Sequence, residues 1–401
     1  MYTDHTLIIK ELEKSIKFNN WNSILSFLPK GSYLVGGYIR DIILGRLTEE
    51  VDIDIVVPSN AIEIGKKISD NIESKFIILD KKREVVRIIF NDISIDIANQ
   101  VSSTIEGDLR ARDFSINSIA FLFDKNCLFD PLNGLKDLEL ALLRTYSEIN
   151  LLNDPLRILR CFRFVSELNF KIDQNLIPFI KKNKKKIYLV AKERINYEIK
   201  KIVNGANALD TVLLIKKLNI FGSENLYKDS FFLDLKKINY GELNQYEKEE
   251  FLPFFFITQI LDVVSLEELK FSKAEIAKTN LLRKWYFFLK DNNIAQLSEL
   301  ERFKLHQELE MFLPSFIFYL PQNLRFNWLK RWRDKEDKLF HPSNLLNGDV
   351  IKKYLKIEDG PMLGELLQYL SKELAYKRLN NFDEAIYKAK QWIQQNAPKC
   401  D

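Results

Sequence analysis

The chain has 401 residues, 46% of them apolar and 29% charged, which describes a folded, water-compatible protein too long for one ordinary core. Lys plus Arg exceed Asp plus Glu by only 60 to 56, so a bulk polycation is excluded and any polyanionic partner must be met by local clusters. His5, His306 and His341 are the only histidines, which excludes a His-rich metal centre and a His–Asp phosphohydrolase module. Cys127, Cys161 and Cys400 show no CxxC spacing and exclude a disulfide framework, pointing to a reducing, cytoplasmic setting. The opening "MYTDHTLIIKELEKS" lacks a signal-peptide core, and no apolar run reaches the roughly 18 residues that span a membrane.

In chain order, "SYLVGG" and "VDIDIVV" predict strands, with a short helix, "YIRDIILG", between them and a longer one, "AIEIGKKISDNI", after. "SKFIILD", "EVVRIIF" and "ISIDIAN" predict three further strands of the same sheet. After "DPLNGLKDLEL" strand signals fade. "DPLRILRCFRFVSELNF", "LIPFIKKNKKKIYLV" and "KERINYEIKKIVNG" predict helices, and from about residue 200 onward the pattern is helical throughout. The plan is α+β: a mixed α/β head followed by an all-α remainder.

Residues two apart on a strand point to one face, so Asp52 and Asp54 project together while Val51, Ile53, Ile55 and Val57 fill in behind. Two carboxylates side by side repel and are costly to desolvate unless a divalent cation sits between them, and Mg²⁺ favours one or two carboxylates plus phosphate oxygens and water. The alternative is an edge strand with an acidic outer face. Asp96, alone in "ISIDIAN", is a candidate third catalytic carboxylate or a strand-end cap. The Gly36–Gly37 turn leads into a helix whose free N–H groups suit phosphate, and Arg40 one turn later can add a bidentate contact. A glycine turn, Arg40 and a paired DxD in one strand–helix–strand unit describe a nucleoside triphosphate held by metal ions for in-line attack at its α-phosphate.

"GDLRARDFSINSIAF" (107–121) and "NDPLRILRCFRF" (153–164), with "GGYIRDIILG" and "VDIDIVV", closely resemble the class II tRNA nucleotidyltransferases and the related bacterial poly(A) polymerases. The resemblance runs from residue 31 to about 205, with a weaker echo at 345–370. It implies a polymerase-β-like nucleotidyltransferase head over 1–145, a neck over 146–205 bearing the nucleotide-selecting motif, a helical body over 206–340 and a tRNA-binding tail over 341–401. It also implies that Asp52 and Asp54 bind Mg²⁺, that Gly37 and Arg40 contact the nucleotide, and that Arg112 and Asp113 form the Arg-Arg-Asp stretch, whose first Arg is here Ala111. By the same resemblance, Asn117 is expected to contact the sugar or to order the loop. Asp154 and Arg157 correspond to the base-selecting pair, with Asn153 in place of the family's Glu. A carboxylate accepts from the exocyclic amine that C and A present on the Watson–Crick edge and that U and G, at the equivalent position, do not, so such a pair reads C and A without a template. Arg160 and Arg163 continue the spacing toward the phosphates; alone, these arginines read equally as a solvated helix face, and Asp154 before Pro155 as an N-cap. Glu193, Arg194 and Glu198 read as structural links.

The implied activity is addition of CMP and AMP, from CTP and ATP, to the tRNA 3′ end. "KKNKKK" (181–186) and "RFNWLKRWRDK" (325–335) mix cations with aromatics as phosphate-tracking surfaces do, although Trp328 and Trp332, four apart, also suit a core. Three apolar strands with short turns account for nearly all of residues 74–113, leaving little for the loop that in this family helps the site switch from CTP to ATP. Addition of the two C residues only is therefore an alternative to full CCA addition, although compact versions of that loop also occur in relatives that are not CC-specific. The rival readings are a poly(A) polymerase of the same architecture and, from another class, a non-catalytic RNA-binding protein.

Overall fold

The structure, a computed structural model, describes residues 5–18, 22–46, 51–221 and 231–396; Cys400 and the first residues of the chain lie outside them. The chain divides into two compact units, Met1–Gly222 and Ser223–Asp401.

The first unit is built on a seven-stranded mixed sheet of order β3-β4-β5-β2-β1-β6-β7. Its strands are β1 (Tyr33–Val35), β2 (Val51–Val57), β3 (Lys75–Asp80), β4 (Val85–Phe90), β5 (Ile93–Asn99), β6 (Ala120–Leu122) and β7 (Cys127–Phe129). β2 and β5 run parallel and every other neighbouring pair is antiparallel. The five strands read from periodicity are all present. β6 and β7 were not anticipated, and neither was the two-stranded parallel ladder Leu142–Leu143 with Lys171–Ile172. Ile53, Ile55, Val86, Ile88, Ile95 and Ile97 are buried and form the core of the sheet. The helix Ala61–Asn71 comes close enough that a Cβ on Gly65 would lie 2.5 Å from Val86, so only glycine allows this approach.

Beyond the sheet, the helices Leu156–Leu168 and Lys192–Asn204 pack on each other, and Ile158, Phe162, Ile195, Ile199 and Ile202 on them are all buried. The single helix expected over 176–190 breaks at Asn183, and Lys184–Leu189 winds on as a 3₁₀ segment. Lys184 leaves the run of like charges to donate to the carbonyls of Leu218 and Asn219.

The second unit is helical throughout its described residues. Capping boxes at Asn244/Glu247, Ser272/Glu275 and Ser298/Glu301 start three of its helices. Their core is aromatic: Phe231, Phe255, Phe316 and Phe318 are buried around Tyr319. Trp332 is buried and Trp328 packs against His306 and Phe340, so both tryptophans of the basic segment serve the core. A separate cluster centred on Leu346, Ile351, Leu366 and Leu370 holds the last three helices together.

Candidate active site

One transverse row of the sheet sets the floor of the site. Cross-strand register places Val35 opposite Asp54, Asp54 opposite Asp96, and Asp96 opposite Arg87. Residues paired this way share a face, so Asp54, Asp96 and Arg87 project from the same side as Asp52. One residue after Val35 the chain turns at Gly36, whose φ of 81° lies in the region that favours glycine. A Cβ there would also sit 2.8 Å from Asp54 Oδ2 and 3.2 Å from Arg112 Nη1. Gly36, rather than Gly37, is therefore the glycine that the turn requires, and it brings the N-terminus of the helix Gly37–Leu44 over the aspartates.

An arc of arginines faces that floor, held by a chain of hydrogen bonds. Arg40 forks onto Asp41 and donates through Nη1 to Asn117 Oδ1 at 2.8 Å. Asn117 Nδ2 donates to Asp113 Oδ1 at 3.0 Å. Asp113 Oδ2 accepts from Arg160 Nε at 2.8 Å and Nη2 at 2.7 Å. The guanidinium groups of Arg40, Arg160 and Arg163 surround the buried Phe164 ring at 5.1, 5.6 and 4.8 Å from its centroid, within cation–π range. Arg163 also pairs with the buried Glu198 at 3.1 Å. Arg112 is steadied by Asp108, which is 5% exposed and also accepts from the Val101 N–H.

Charge shifts follow from these contacts. Burial raises the Asp54 carboxyl above its ordinary range; Arg112 opposes this, while Asp96 and Asp52 add to it. Burial alone would also raise Asp113, but Arg160, the Asn117 hydrogen bond and Arg157 outweigh it and hold the carboxyl well below the usual range. Asp54 is thus a desolvated carboxylate among like charges, which is the environment that a divalent cation relieves. Among the described residues no three His, Cys, Asp or Glu side chains converge as a metal cage. The protein's share of such a cation would be Asp52 and Asp54, with phosphate oxygens and water completing its shell.

The space above the floor is a cavity of about 830 Å³. It is lined by Gly37, Arg40, Asp52, Asp54, Asp96, Arg112, Asn117, Arg160 and Arg163, so nine of the residues expected from sequence meet in one place. Asp154 and Arg157 do not reach it. They line an adjoining recess of about 350 Å³ whose walls include Ala111 and which shares Arg112, Asp113, Arg160 and Arg194 with the larger cavity. In the recess Asp154 Oδ2 pairs with Arg194 Nη2 at 2.8 Å and Oδ1 accepts the Leu156 N–H at 3.2 Å. Arg157 Nη1 donates to the carbonyls of Ala111 and Asn150. Asp154 is therefore partly the helix cap its position suggested, with its second oxygen held by an arginine from another helix. Asp96 lines the main cavity, but both of its oxygens are engaged by Arg87, Oδ1 by Nε at 2.7 Å and Oδ2 by Nη2 at 2.8 Å.

Four contributors escaped the sequence reading. Arg87 looks like any outward residue of an alternating strand, and its pairing with Asp96 needs the register. Asp108 stands four residues before Arg112 on a helical turn, a spacing that could have revealed it. Phe164, four after Arg160, gave the same unread signal. Arg194 was read as a structural link, without its partner Asp154.

A paired-aspartate strand lies beneath a glycine turn and is roofed by arginines, and the relatives of this chain mark the protein as a nucleotidyltransferase. The family described as "Poly A polymerase head domain" matches residues 32–101 and 98–144. A CC-adding tRNA nucleotidyltransferase of Synechocystis is 29% identical over 94% of this chain and 96% of its own length. A second CC-adding tRNA nucleotidyltransferase, from Geobacter sulfurreducens, is 33% identical over 50% of this chain and 47% of its own. The fold matches that of the Thermotoga maritima CCA-adding enzyme complexed with tRNA_CCA, with a TM-score of 0.70 at 22% identity over 90% of this chain and 91% of that one. Residues 32–144 thus resemble a poly(A) polymerase head domain, and the chain as a whole resembles tRNA nucleotidyltransferases. Nucleotidyltransferases of this kind generally need a divalent metal ion. Among the described residues no helix is long and apolar enough to cross a membrane.

Proposed function

We propose that this nucleotidyltransferase transfers CMP from CTP to the 3′ end of tRNA and stops after two C residues, leaving the final A to another protein. The observation that carries nucleotidyl transfer is the facing of Asp52 and Asp54 against Gly36, Arg40, Arg112 and Arg160 across one cavity. The triphosphate lies under the glycine turn and the arginine arc, where free N–H groups and guanidinium forks neutralise it. Asp52 and Asp54 would hold Mg²⁺, which would supply positive charge to an in-line displacement at the α-phosphate. The base enters the adjoining recess, where Asp154 accepts from the exocyclic amine and Arg157 donates to the ring nitrogen and O2 of cytosine.

Restriction to C is supported by the hairpin of β3 and β4. A four-residue turn, Lys81–Glu84, closes it, and two residues, Asn91–Asp92, join β4 to β5. No long loop is present there to reshape the site for ATP. The two relatives above carry the same CC-adding description. We assign the head to 1–145, the neck to 146–205, the body to 206–340 and a tRNA-binding tail to 341–401, in a cytoplasmic enzyme. Purified protein is to be incubated with tRNAs ending before the CCA, after one C and after two, with each nucleoside triphosphate singly. Two additions from CTP and none from ATP on the tRNA ending in CC are expected. Efficient ATP use on that last substrate would point to full CCA synthesis, and long A tracts to a poly(A) polymerase.

Base selection gives a second test. Arg194 holds Asp154 in orientation through Oδ2, so it supports the reading of the amine without touching the base. Asp154→Ala should cut the CTP-over-UTP preference by about 100-fold, because the site then loses the only group that requires an amine. Arg194→Ala should cut it by about tenfold, an order-of-magnitude expectation for one charge-assisted hydrogen bond, and Arg194→Lys should recover part of it. Circular dichroism separates these effects from loss of the helix cap at Leu156.

A further inference from the structure

The geometry points to Arg87 as the residue that grips the phosphate backbone of the RNA 3′ end, with Asp96 as the anchor that aims it. This rests on the nucleotidyl-transfer reading above. Seven arginines line the main cavity: Arg40, Arg46, Arg87, Arg112, Arg160, Arg163 and Arg194. Six come from helices or from the segments that end them, on the side of the glycine turn and the arginine helix. Arg87 alone stands on the sheet, in β4.

Its side of the site is fixed by strand order. β2, which carries the aspartate pair, lies between β1, which feeds the glycine turn, and β5, beyond which lies β4. In-line displacement puts the entering oxygen opposite the leaving pyrophosphate. With the triphosphate gathered at the β1 side, the RNA 3′-hydroxyl must arrive over β5 and β4. Arg87 is two strands from Asp54, about 10 Å by ordinary strand spacing, so it lies beside the nucleotide that carries the attacking hydroxyl.

The chemistry suits a phosphodiester. A guanidinium has five donors, and the fork on Asp96 uses one on Nε and one on Nη2. Both Nη1 donors and one on Nη2 are left to reach a second anion. The Arg87 side chain is 40% exposed and the Asp96 side chain 23%, so that remaining edge is open to the cavity. Asp96 fixes the plane of the guanidinium, which a flexible lysine could not offer.

The test uses full-length protein, CTP with Mg²⁺, and tRNA ending before the CCA, comparing wild type with Arg87→Gln and Arg87→Lys. The KM for tRNA is expected to rise about tenfold in Arg87→Gln, while the KM for CTP stays within about twofold, the pattern of one lost phosphate contact. Arg87→Lys keeps a cation beside Asp96, and with it the fold, yet loses the fork, so an intermediate tRNA effect is expected. Direct binding of the same tRNA without CTP, titrated with salt, should show the log–log slope reduced by about one in Arg87→Gln. A rise in the KM for CTP with tRNA binding unchanged would place Arg87 on the triphosphate and overturn the proposal. So would tRNA affinity and salt slope equal to wild type in both variants, provided thermal melts show them folded. If wild type binds tRNA but does not extend it, the activity reading fails, and the salt titration still reads Arg87 by itself.

Discussion

Asp54→Asn is expected to lose nucleotide addition by at least about 10³-fold while melting no lower than the wild type. The two halves of this result have one cause. Burial and the flanking Asp96 and Asp52 raise the Asp54 pKa in the folded chain, against the pull of Arg112. A carboxyl with a raised folded pKa favours the fold below its unfolded pKa, and that contribution is lost as pH rises through the folded value. Where it is ionised the side chain is therefore a burden on the apoprotein, and a neutral amide of the same shape removes it. Mg²⁺ plus CTP should raise the melting temperature of the wild type, since a ligand bound only by the folded state stabilises it by mass action. The same addition should move Asp54→Asn far less. A variant that melts normally and still turns over near wild-type rate with Mg²⁺ would remove the carboxylate pair from the catalytic centre.

How well the sequence revealed each part depended on the range of the interactions that define it. β2 and β5 were readable because alternating apolar residues carry their own period, and Asp52 and Asp54 stood out as carboxylates inside that pattern. The helix Gly37–Leu44 was equally plain between a glycine pair and Gly45, whose φ is 66°. β6 and β7 were missed because three-residue strands show no period and, unlike the equally short β1, they do not run directly into a glycine pair; all of Ala120–Leu122 is buried, so no polar residue marks a face. The Arg87–Asp96 pair was invisible for a different reason. Its members sit nine residues apart on separate strands, and only the β4–β5 register brings them opposite each other. The same holds for Asp154 and Arg194, 40 residues apart, which meet because two helices pack together. Motif resemblance singled out Asp154 but said nothing about which cation holds it.

Asp113→Ala is expected to destabilise the first unit by about 3–5 kcal/mol, the usual consequence of removing one member of a buried ion pair. Asp113 is 5% exposed and accepts from Asn117, from both Nε and Nη2 of Arg160, and from the Phe114 N–H. Without it, Arg160 is left as a cation beside the cavity with no carboxylate, and Asn117 loses the contact that keeps its carbonyl aimed at Arg40. Arg160→Met alone would leave the carboxylate buried and unpaired, so it should also be costly. The double variant Asp113→Ala, Arg160→Met should cost clearly less than the sum of the singles, because neither orphaned charge remains. Because the folded pKa of Asp113 is depressed, the stability it adds is complete above its unfolded pKa and is lost only as pH falls through the lower folded value. Urea unfolding of Asp113→Ala and wild type at pH 7 and at pH 5 should therefore give the same large difference at both. Activity would fall with it, chiefly as a higher KM for CTP, since Arg40 and Arg160 both lose their bearing on the triphosphate. A loss below about 1 kcal/mol, the size of a single ordinary hydrogen bond, would mean that the arginine arc is held by packing on Phe164 rather than by this carboxylate.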